Sequence, residues 1–188
     1  MSFLTNNQLL ELGFGSLGKN VLISDKCSLY NTSNIFLGND IRIDDFSVIS
    51  AGDGGIYIGD YVHIACYVSL IGKGKIELQD FCGISGRTSI YSSSDDYTGN
   101  FLTNPTVPDD LRKVISATVT IGRHVIIGTG CCVLPGITIG DGAAVGACSL
   151  VTKNVNKGKF VFGIPAKVLK ERSNKHALLE VILKNRQE

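Results

Sequence analysis

Apolar residues recur every six positions along most of the chain. The repeat begins at Leu17 and, apart from one interruption, continues to Val151. An α-helix would place apolar residues every three to four positions, so the six-residue period indicates one short strand and one turn per repeat. The apolar positions that define the repeat, called anchors below, are Leu17, Ile23, Leu29, Leu37, Ile43, Ile49, Ile58, Ile64, Leu70, Leu78, Ile84, Ile90, Ile121, Ile127, Val133, Ile139, Val145 and Val151.

Two further positions of the repeat are restricted. Glycine follows the anchor in seven repeats, and a small or β-branched residue often stands four positions after it. Glycine permits a tight corner, and a small side chain fits where two walls converge. Three strands therefore close one triangular coil of about eighteen residues, and the anchors of successive coils stack at about 4.8 Å. The pattern predicts six coils between Leu17 and about Asn156.

The repeat stops once, between the anchors Ile90 and Ile121. Residues 91–120 contain the polar stretch "YSSSDDYTGNFLTNPTVP" and no apolar six-residue pattern. Because the period resumes unchanged, this segment is predicted to be a loop that leaves an intact coil. Long loops in compact folds are usually functional, and the prolines and asparagines indicate a shaped segment.

The repeats resemble those of the hexapeptide-repeat acyltransferases. The resemblance is carried by "IGRHVIIGTGCCVLPGITIGDGAAVGACSLVTKNV" and by "GIPAKVLKER" after the last coil. It implies an all-β fold, a left-handed parallel β-helix, over residues 17–168. It also implies acyl transfer from a coenzyme A thioester, homotrimers, and active sites between neighbouring helices. Residues 1–16 form an N-terminal segment, and apolar residues at helical spacing predict a C-terminal helix over residues 169–188.

Composition narrows the class of protein further. The 188 residues carry a net charge of +1, which gives no electrostatic reason to expect nucleic acid or an anionic membrane as a partner. The first fifteen residues lack the basic region of a secretory signal, and no apolar run approaches the ~20 residues of a membrane span. We therefore expect a cytoplasmic protein whose six cysteines are reduced, small and buried.

The three histidines separate metal chemistry from acid–base chemistry. His63, His124 and His176 lie far apart in the sequence and form no zinc-ligand pattern, so no metal is expected. His63 precedes an anchor and should point outward, between Arg42 and Gly83 of the neighbouring coils. A histidine there is suited to accept a proton from the acceptor amine or hydroxyl that attacks the thioester. The alternative is a surface or interface histidine without a catalytic task.

The loop supplies candidate acceptor-binding residues but no histidine. The carboxylates of Asp95 and Asp96 can bind an ammonium or orient a sugar hydroxyl. Either of the two could replace His63 as the base if its pKa were raised. The alternative is that these aspartates only cap turns. The candidates for substrate binding are Asp95, Asp96, Tyr97, Asn100 and Asn104.

The last coils and the segment after them are predicted to bind the coenzyme. Small residues allow an extended pantetheine arm to approach the backbone, and basic residues can bind the phosphates of the coenzyme. The alternative is that the basic residues only form a solvated face. Pro165 is included because the resemblance places this segment beside the adenine. The candidates are Gly128, Gly146, Ala147, Lys153, Pro165, Lys167 and Arg172.

Within the family, the loop and the following repeats resemble enzymes that N-acetylate a nucleotide-linked amino-deoxysugar, such as dTDP-4-amino-4,6-dideoxyglucose. This resemblance implies acetyl-CoA as the donor and a place in O-antigen or other surface-polysaccharide synthesis. An O-acetyltransferase acting on a sugar hydroxyl is the near alternative. A non-catalytic β-helix scaffold is the distant one.

Overall fold

The sequence repeat folds into a stack of parallel strands in a computed structural model that describes residues 2–186. Each six-residue unit forms a strand of two to four residues, and three strands make one coil. The first four coils contain β1 (Ser16–Leu17), β2 (Leu22–Ile23), β3 (Ser28–Tyr30), β4 (Ile35–Leu37), β5 (Arg42–Ile43), β6 (Val48–Ala51), β7 (Ile56–Ile58), β8 (His63–Ile64), β9 (Ser69–Gly72), β10 (Ile76–Leu78), β11 (Gly83–Ile84) and β12 (Ser89–Tyr91).

The chain then leaves the stack and returns to it. The excursion contains the antiparallel hairpin β13 (Ser93–Asp95) and β14 (Val114–Ser116), with a 3-10 turn at Asp109–Leu111. Two more complete coils and a final hairpin follow. Their strands are β15 (Val119–Ile121), β16 (Ile126–Ile127), β17 (Cys132–Val133), β18 (Thr138–Ile139), β19 (Ala144–Val145), β20 (Leu150–Val151), β21 (Lys159–Gly163) and β22 (Ala166–Glu171).

Three parallel sheets form the walls of the stack. The first sheet has the order β1-β4-β7-β10-β15-β18, and the third has β3-β6-β9-β12-β17-β20. The second sheet has β2-β5-β8-β11-β16-β19-β21-β22, so β21 adds a partial seventh coil and β22 closes the sheet antiparallel to it. The prediction of a parallel β-helix with about six coils and one excursion is confirmed.

The anchors form the core because consecutive coils stack in register. Ile84 pairs with Ile64 on one side and with Ile127 on the other, and all three are fully buried. Every anchor is buried except Leu17 and Leu29, which are partly buried and pack against the core. Both belong to the first coil, which has a neighbouring coil on one side only.

The N-terminal segment covers the open end of the first coil. Helix α1 (Asn6–Glu11) begins at a capping box, in which Thr5 and Gln8 satisfy each other's backbone N–H groups. Leu9 is the buried residue of this helix and belongs to the same core as the anchors. The first segment is therefore part of the solenoid's core and not a separate extension.

The C-terminal helix begins later than predicted. Strand β22 occupies the start of the segment assigned to helix, and α2 runs from His176 to Asn185. Glu180 attaches α2 to the fifth coil through Arg123 (2.7 Å) and His124 (2.6 Å). A hydrogen bond from Lys184, together with those partners, lowers the pKa of Glu180 to about 2. Among residues 2–186, neither helix is long and apolar enough to cross a membrane.

The prediction of buried cysteines holds fully for two of the six, while Cys27, Cys66 and Cys132 are partly buried. Cys82 and Cys131 occupy the small position of their repeats and are buried, and burial raises the pKa of Cys82 to about 12. All six thiols are free. Cys148 is exposed, contrary to the prediction, because it lies at a corner with a positive φ and not on a wall.

Candidate active site

His63 lies on β8 and points away from the core, as predicted. Its Nε2 atom is 2.9 Å from Oδ2 of Asp44, and the other carboxylate oxygen accepts a hydrogen bond from Nε of Arg42 at 2.7 Å. Asp44 is only 5% exposed, whereas the His63 side chain is 52% exposed. A buried carboxylate thus holds an accessible imidazole in one orientation.

Asp44 remains a charged partner despite its burial. Burial by itself raises the pKa of Asp44, but hydrogen bonds from Arg42 and His63 outweigh this effect and leave the pKa below its ordinary value. Because an ionised carboxylate only accepts hydrogen bonds, Nε2 of His63 is the donor to Asp44, and Nδ1 is the ring nitrogen that remains for a substrate. Sequence reasoning missed Asp44, although the stacking of His63 on Arg42 places it one coil away and two residues further along.

Aromatic residues line both edges of the second sheet near His63. Tyr61, at the preceding corner, stacks on Phe81 with ring centroids 4.8 Å apart. Tyr67, at the following corner, stacks on Phe46 at 5.0 Å. A cavity of about 300 Å³ opens beside the imidazole, and it is lined by Asp40, Arg42, Tyr61, Val62 and His63. The outward surface of the second sheet, called the second-sheet face below, is therefore a shallow trough with His63 in it.

Within the loop, the two candidate aspartates have different surroundings. Asp96 is buried and accepts hydrogen bonds from the Thr98 hydroxyl (2.8 Å) and the Asn100 backbone N–H (3.1 Å). The Thr98 hydroxyl is the main cause of a lowered pKa at Asp96, which is the opposite of what a general base requires. Asp96 thus caps a turn and shapes the loop.

Asp95 is the more accessible of the two candidate aspartates. It lies on β13, is half-buried, and accepts one loop hydrogen bond, from the Asn104 N–H to Oδ2 (3.2 Å). Tyr97 is 93% exposed. The amide of Asn100 donates to Thr98, and Oδ1 of Asn104 accepts from Thr106. Both asparagines are exposed like Tyr97, and these bonds hold the loop conformation.

The loop and His63 do not meet within one chain. The loop leaves from β12 of the third sheet and returns to β15 of the first sheet. It packs at that corner, where Oγ of Ser93 accepts from the Lys73 N–H (3.1 Å) and the Ser92 hydroxyl donates to the Gly74 carbonyl (2.7 Å). His63 lies on the remaining sheet, across the solenoid. The repeat predicted the height of the loop along the axis but not the side on which it projects.

The glycines assigned to the coenzyme have a packing role. A Cβ on Gly128 would lie 2.5 Å from the backbone nitrogen of Ala147, and a Cβ on Gly146 would lie 2.5 Å from Cδ2 of Phe162. These positions need glycine because the next coil packs directly against them. Their presence is therefore explained without a pantetheine arm.

Arg172 also serves the fold. Its guanidinium donates to the backbone carbonyls of His124 (2.8 Å), Gly142 (3.1 Å) and Ala143 (3.0 Å). These bonds join the chain after β22 to the fifth and sixth coils. The Arg172 guanidinium, which was predicted to bind a phosphate of the coenzyme, therefore binds backbone carbonyls of its own chain. Lys153, Pro165 and Lys167 are exposed near the C-terminal end of the stack. Among residues 2–186, no cluster of three His, Cys, Asp or Glu side chains is arranged to hold a metal ion.

Comparison with known proteins identifies the class. The family model "Bacterial transferase hexapeptide (six repeats)" matches residues 118–153. With the repeat and the coil architecture above, this defines a hexapeptide-repeat transferase. The chain is 52% identical over 184 residues to the dTDP-4-amino-4,6-dideoxy-D-glucose acyltransferase of Escherichia coli, covering 98% of this chain and 96% of that one. The protein therefore belongs to the hexapeptide-repeat acyltransferase family.

Two further relatives bear on the site. The N-acyltransferase AntD from Bacillus cereus, solved in complex with dTDP and 3-hydroxybutyryl-CoA, matches with 42% identity and a TM-score of 0.94 over 100% of this chain and 99% of that one. A variant of AntD has been solved with dTDP-4-amino-4,6-dideoxyglucose and coenzyme A. The putative lipopolysaccharide biosynthesis O-acetyl transferase WbbJ of Escherichia coli K12 is 30% identical over 85% of this chain and 83% of its own length.

Replacement of Asp96 by Ala should loosen the loop while the coils stay intact. The change leaves the Asn100 N–H and the Thr98 hydroxyl without their acceptor, which costs about 1–3 kcal/mol locally. We expect faster proteolysis between residues 97 and 113, measured by mass spectrometry, with a melting temperature within a few degrees of the parent. Asp110→Ala, an exposed change in the same loop, serves as the control. Equal cleavage rates in both variants would contradict the capping role.

Proposed function

We propose that this protein is an acyl-CoA-dependent N-acyltransferase that transfers an acetyl group from acetyl-CoA to the amine of a dTDP-linked amino-deoxysugar. The first candidate acceptor is dTDP-4-amino-4,6-dideoxyglucose. The observation that carries the proposal is the 52% identity, over nearly the full length of both chains, to a protein with that acyltransferase activity in its name. The AntD complex with this sugar nucleotide and coenzyme A supports it.

The proposed step is direct attack of the amine on the thioester. The amine nitrogen forms a bond to the carbonyl carbon, and the carbon–sulfur bond then breaks. Nδ1 of His63, held in position through Nε2 by Asp44, takes the proton that the amine loses and returns it to the departing thiolate. The products are the amide and coenzyme A. The loop carboxylate of Asp95 binds the substrate ammonium, which loses its first proton to solvent and so becomes the attacking amine.

We further propose that the site is shared between neighbouring chains of a homotrimer. His63 lies on the second sheet, whereas the loop with Asp95 projects from the corner between the third and first sheets. Two groups on opposite sides of one solenoid can act on one substrate only if a second chain supplies one of them. The loop of one chain would then lie over the second-sheet face of its neighbour.

O-acetylation of a sugar hydroxyl is the second candidate. The 30% identity to the putative lipopolysaccharide O-acetyl transferase WbbJ favours it over other activities, and the same relative supports a role in surface-polysaccharide synthesis. We place the reaction in the cytoplasm, where coenzyme A thioesters and nucleotide sugars are made. A purely structural role is a third outcome that the acceptor experiment separates from both.

The test is an acceptor panel. Purified protein is mixed with acetyl-CoA and a set of dTDP-linked sugars that carry an amine at different positions, together with their hydroxyl counterparts, and release of free thiol is measured. We expect turnover with an amino sugar and none with its hydroxyl counterpart. Preference for the hydroxyl sugars would support the O-acetyltransferase. Failure with every acceptor would refute the proposed reaction.

A further inference from the structure

Gly83 differs from the other glycines of the chain. Among the 22 glycines, each of the others either has a positive φ or would bring an added Cβ within 3.0 Å of another atom. At Gly83 the φ angle is not positive, and the nearest atom to an added Cβ is Cγ1 of Ile126 at 3.9 Å, an ordinary van der Waals distance. The fold would accept alanine here, and glycine in a strand interior is destabilising relative to alanine.

The missing side chain opens a notch in the second-sheet face. Gly83 pairs with His63 on one side and with Ile126 on the other, and strands are about 4.8 Å apart. Both neighbours point outward, and Ile126 is 47% exposed. The Gly83 N–H already donates to the Val125 carbonyl at 2.9 Å. Gly83 therefore contributes open space, called the Gly83 notch below, between an imidazole and an aliphatic side chain.

We propose that the Gly83 notch holds the acyl group of the coenzyme A thioester and limits its length. The notch has a polar end at His63 and an apolar end at Ile126, and a short acyl group has the same order, a carbonyl followed by an alkyl chain. With the carbonyl beside His63, an amine that attacks it also lies within reach of the proposed base. This inference rests on the proposed acyl transfer and deepens it, because it assigns donor selectivity to two residues.

The notch gives the glycine at position 83 a role that offsets its cost in stability. A methyl group on residue 83 would lie 3.9 Å from Cγ1 of Ile126, and an isopropyl group would take up more of the same space. The acyl chain would lose its contact with Ile126 and its room beside the imidazole. Shortening Ile126 would have the opposite effect, because it lengthens the apolar end.

The experiment compares Gly83→Ala, Gly83→Val and Ile126→Ala with the parent protein. Dissociation constants for coenzyme A, acetyl-CoA and butyryl-CoA are measured by calorimetry without any sugar, and melting temperatures are recorded. We expect Gly83→Ala to melt at or above the parent temperature. Gly83→Val should bind butyryl-CoA at least tenfold more weakly than the parent, with free coenzyme A unchanged. Ile126→Ala should shift the preference towards butyryl-CoA.

Thr138→Val provides a matched exposed change on the first sheet and should leave all three constants unchanged. The inference would be overturned if the Gly83 variants lost affinity equally for free coenzyme A and for its thioesters. It would also be overturned if their dissociation constants matched those of the parent. If Gly83→Val does not fold, the shift of Ile126→Ala towards butyryl-CoA decides the question. Because no acceptor is present, selective loss of butyryl-CoA would stand even if the acceptor panel failed, and the two proposals therefore fail separately.

Discussion

Replacement of His63 by Asn should lower kcat for acyl transfer by about 100-fold or more. The change removes the nitrogen that takes the amine proton, and general-base catalysis typically contributes 10²–10⁴-fold. The buried Asp44 keeps its hydrogen bond from Arg42, and the His63 side chain is half exposed, so the melting temperature should change by no more than a few degrees. Initial rates of thiol release at saturating acetyl-CoA and acceptor measure the effect.

The control for this experiment is the same substitution at His176. His176 lies on α2, where its ring packs against that of His124 in the fifth coil, whereas His63 lies in the third coil. His176→Asn should therefore leave kcat close to that of the parent. A normal kcat in His63→Asn, in a protein that does transfer acyl groups, would remove His63 from catalysis and leave Asp95 as the remaining candidate base.

Mixing two inactive variants should restore about a quarter of the parent activity. As pure oligomers, His63→Asn is expected to lose nearly all turnover, and Asp95→Ala is expected to do so at acceptor concentrations well below the parent KM. If every site takes His63 from one chain and Asp95 from another, random assembly from equal amounts leaves roughly one site in four with both native residues. Initial rates of the whole co-expressed pool, purified without selection for mixed oligomers, give the fraction restored.

The outcome separates a shared site from a site within one chain. If one chain supplied both groups, every site in the mixture would carry one of the two changes and no activity would return. The matched control combines His63→Asn with Asp44→Asn. Both residues lie on the second-sheet face of one chain, 2.9 Å apart at His63 Nε2 and Asp44 Oδ2, so this pair should show no recovery.

The repeat is the part of the structure that the sequence predicted best. Anchors such as Ile64 and Ile84 are buried because each has a counterpart directly above or below it, and local spacing alone is enough to show this. The segments after the last coil were less predictable. Leu178 and Ile182 have helical spacing but are exposed, since α2 attaches through Glu180 instead. Its contacts with Arg123 and His124 join positions far apart in sequence.

The candidate site was predicted in part. The outward direction of His63 and its neighbours Arg42 and Gly83 follow from strand alternation and from the period, and the structure has both. The sequence could not distinguish Asp95 from Asp96, because their roles depend on which loop N–H groups and hydroxyls fold back towards each carboxylate. For the same reason Asp44 was missed, although it determines the orientation of His63.

The sequence by itself determined the coil period, the buried residues, the place of the excursion and the family, because each of these follows from spacing between near neighbours in the chain. Only the tertiary structure decided which way the loop projects. It also showed that close packing of the next coil requires glycine at positions 128 and 146 but not at position 83. These properties depend on distances between successive coils, which bring together residues about twenty or more positions apart. The six-residue pattern specifies that the coils stack, and the contacts between them specify where chemistry can occur.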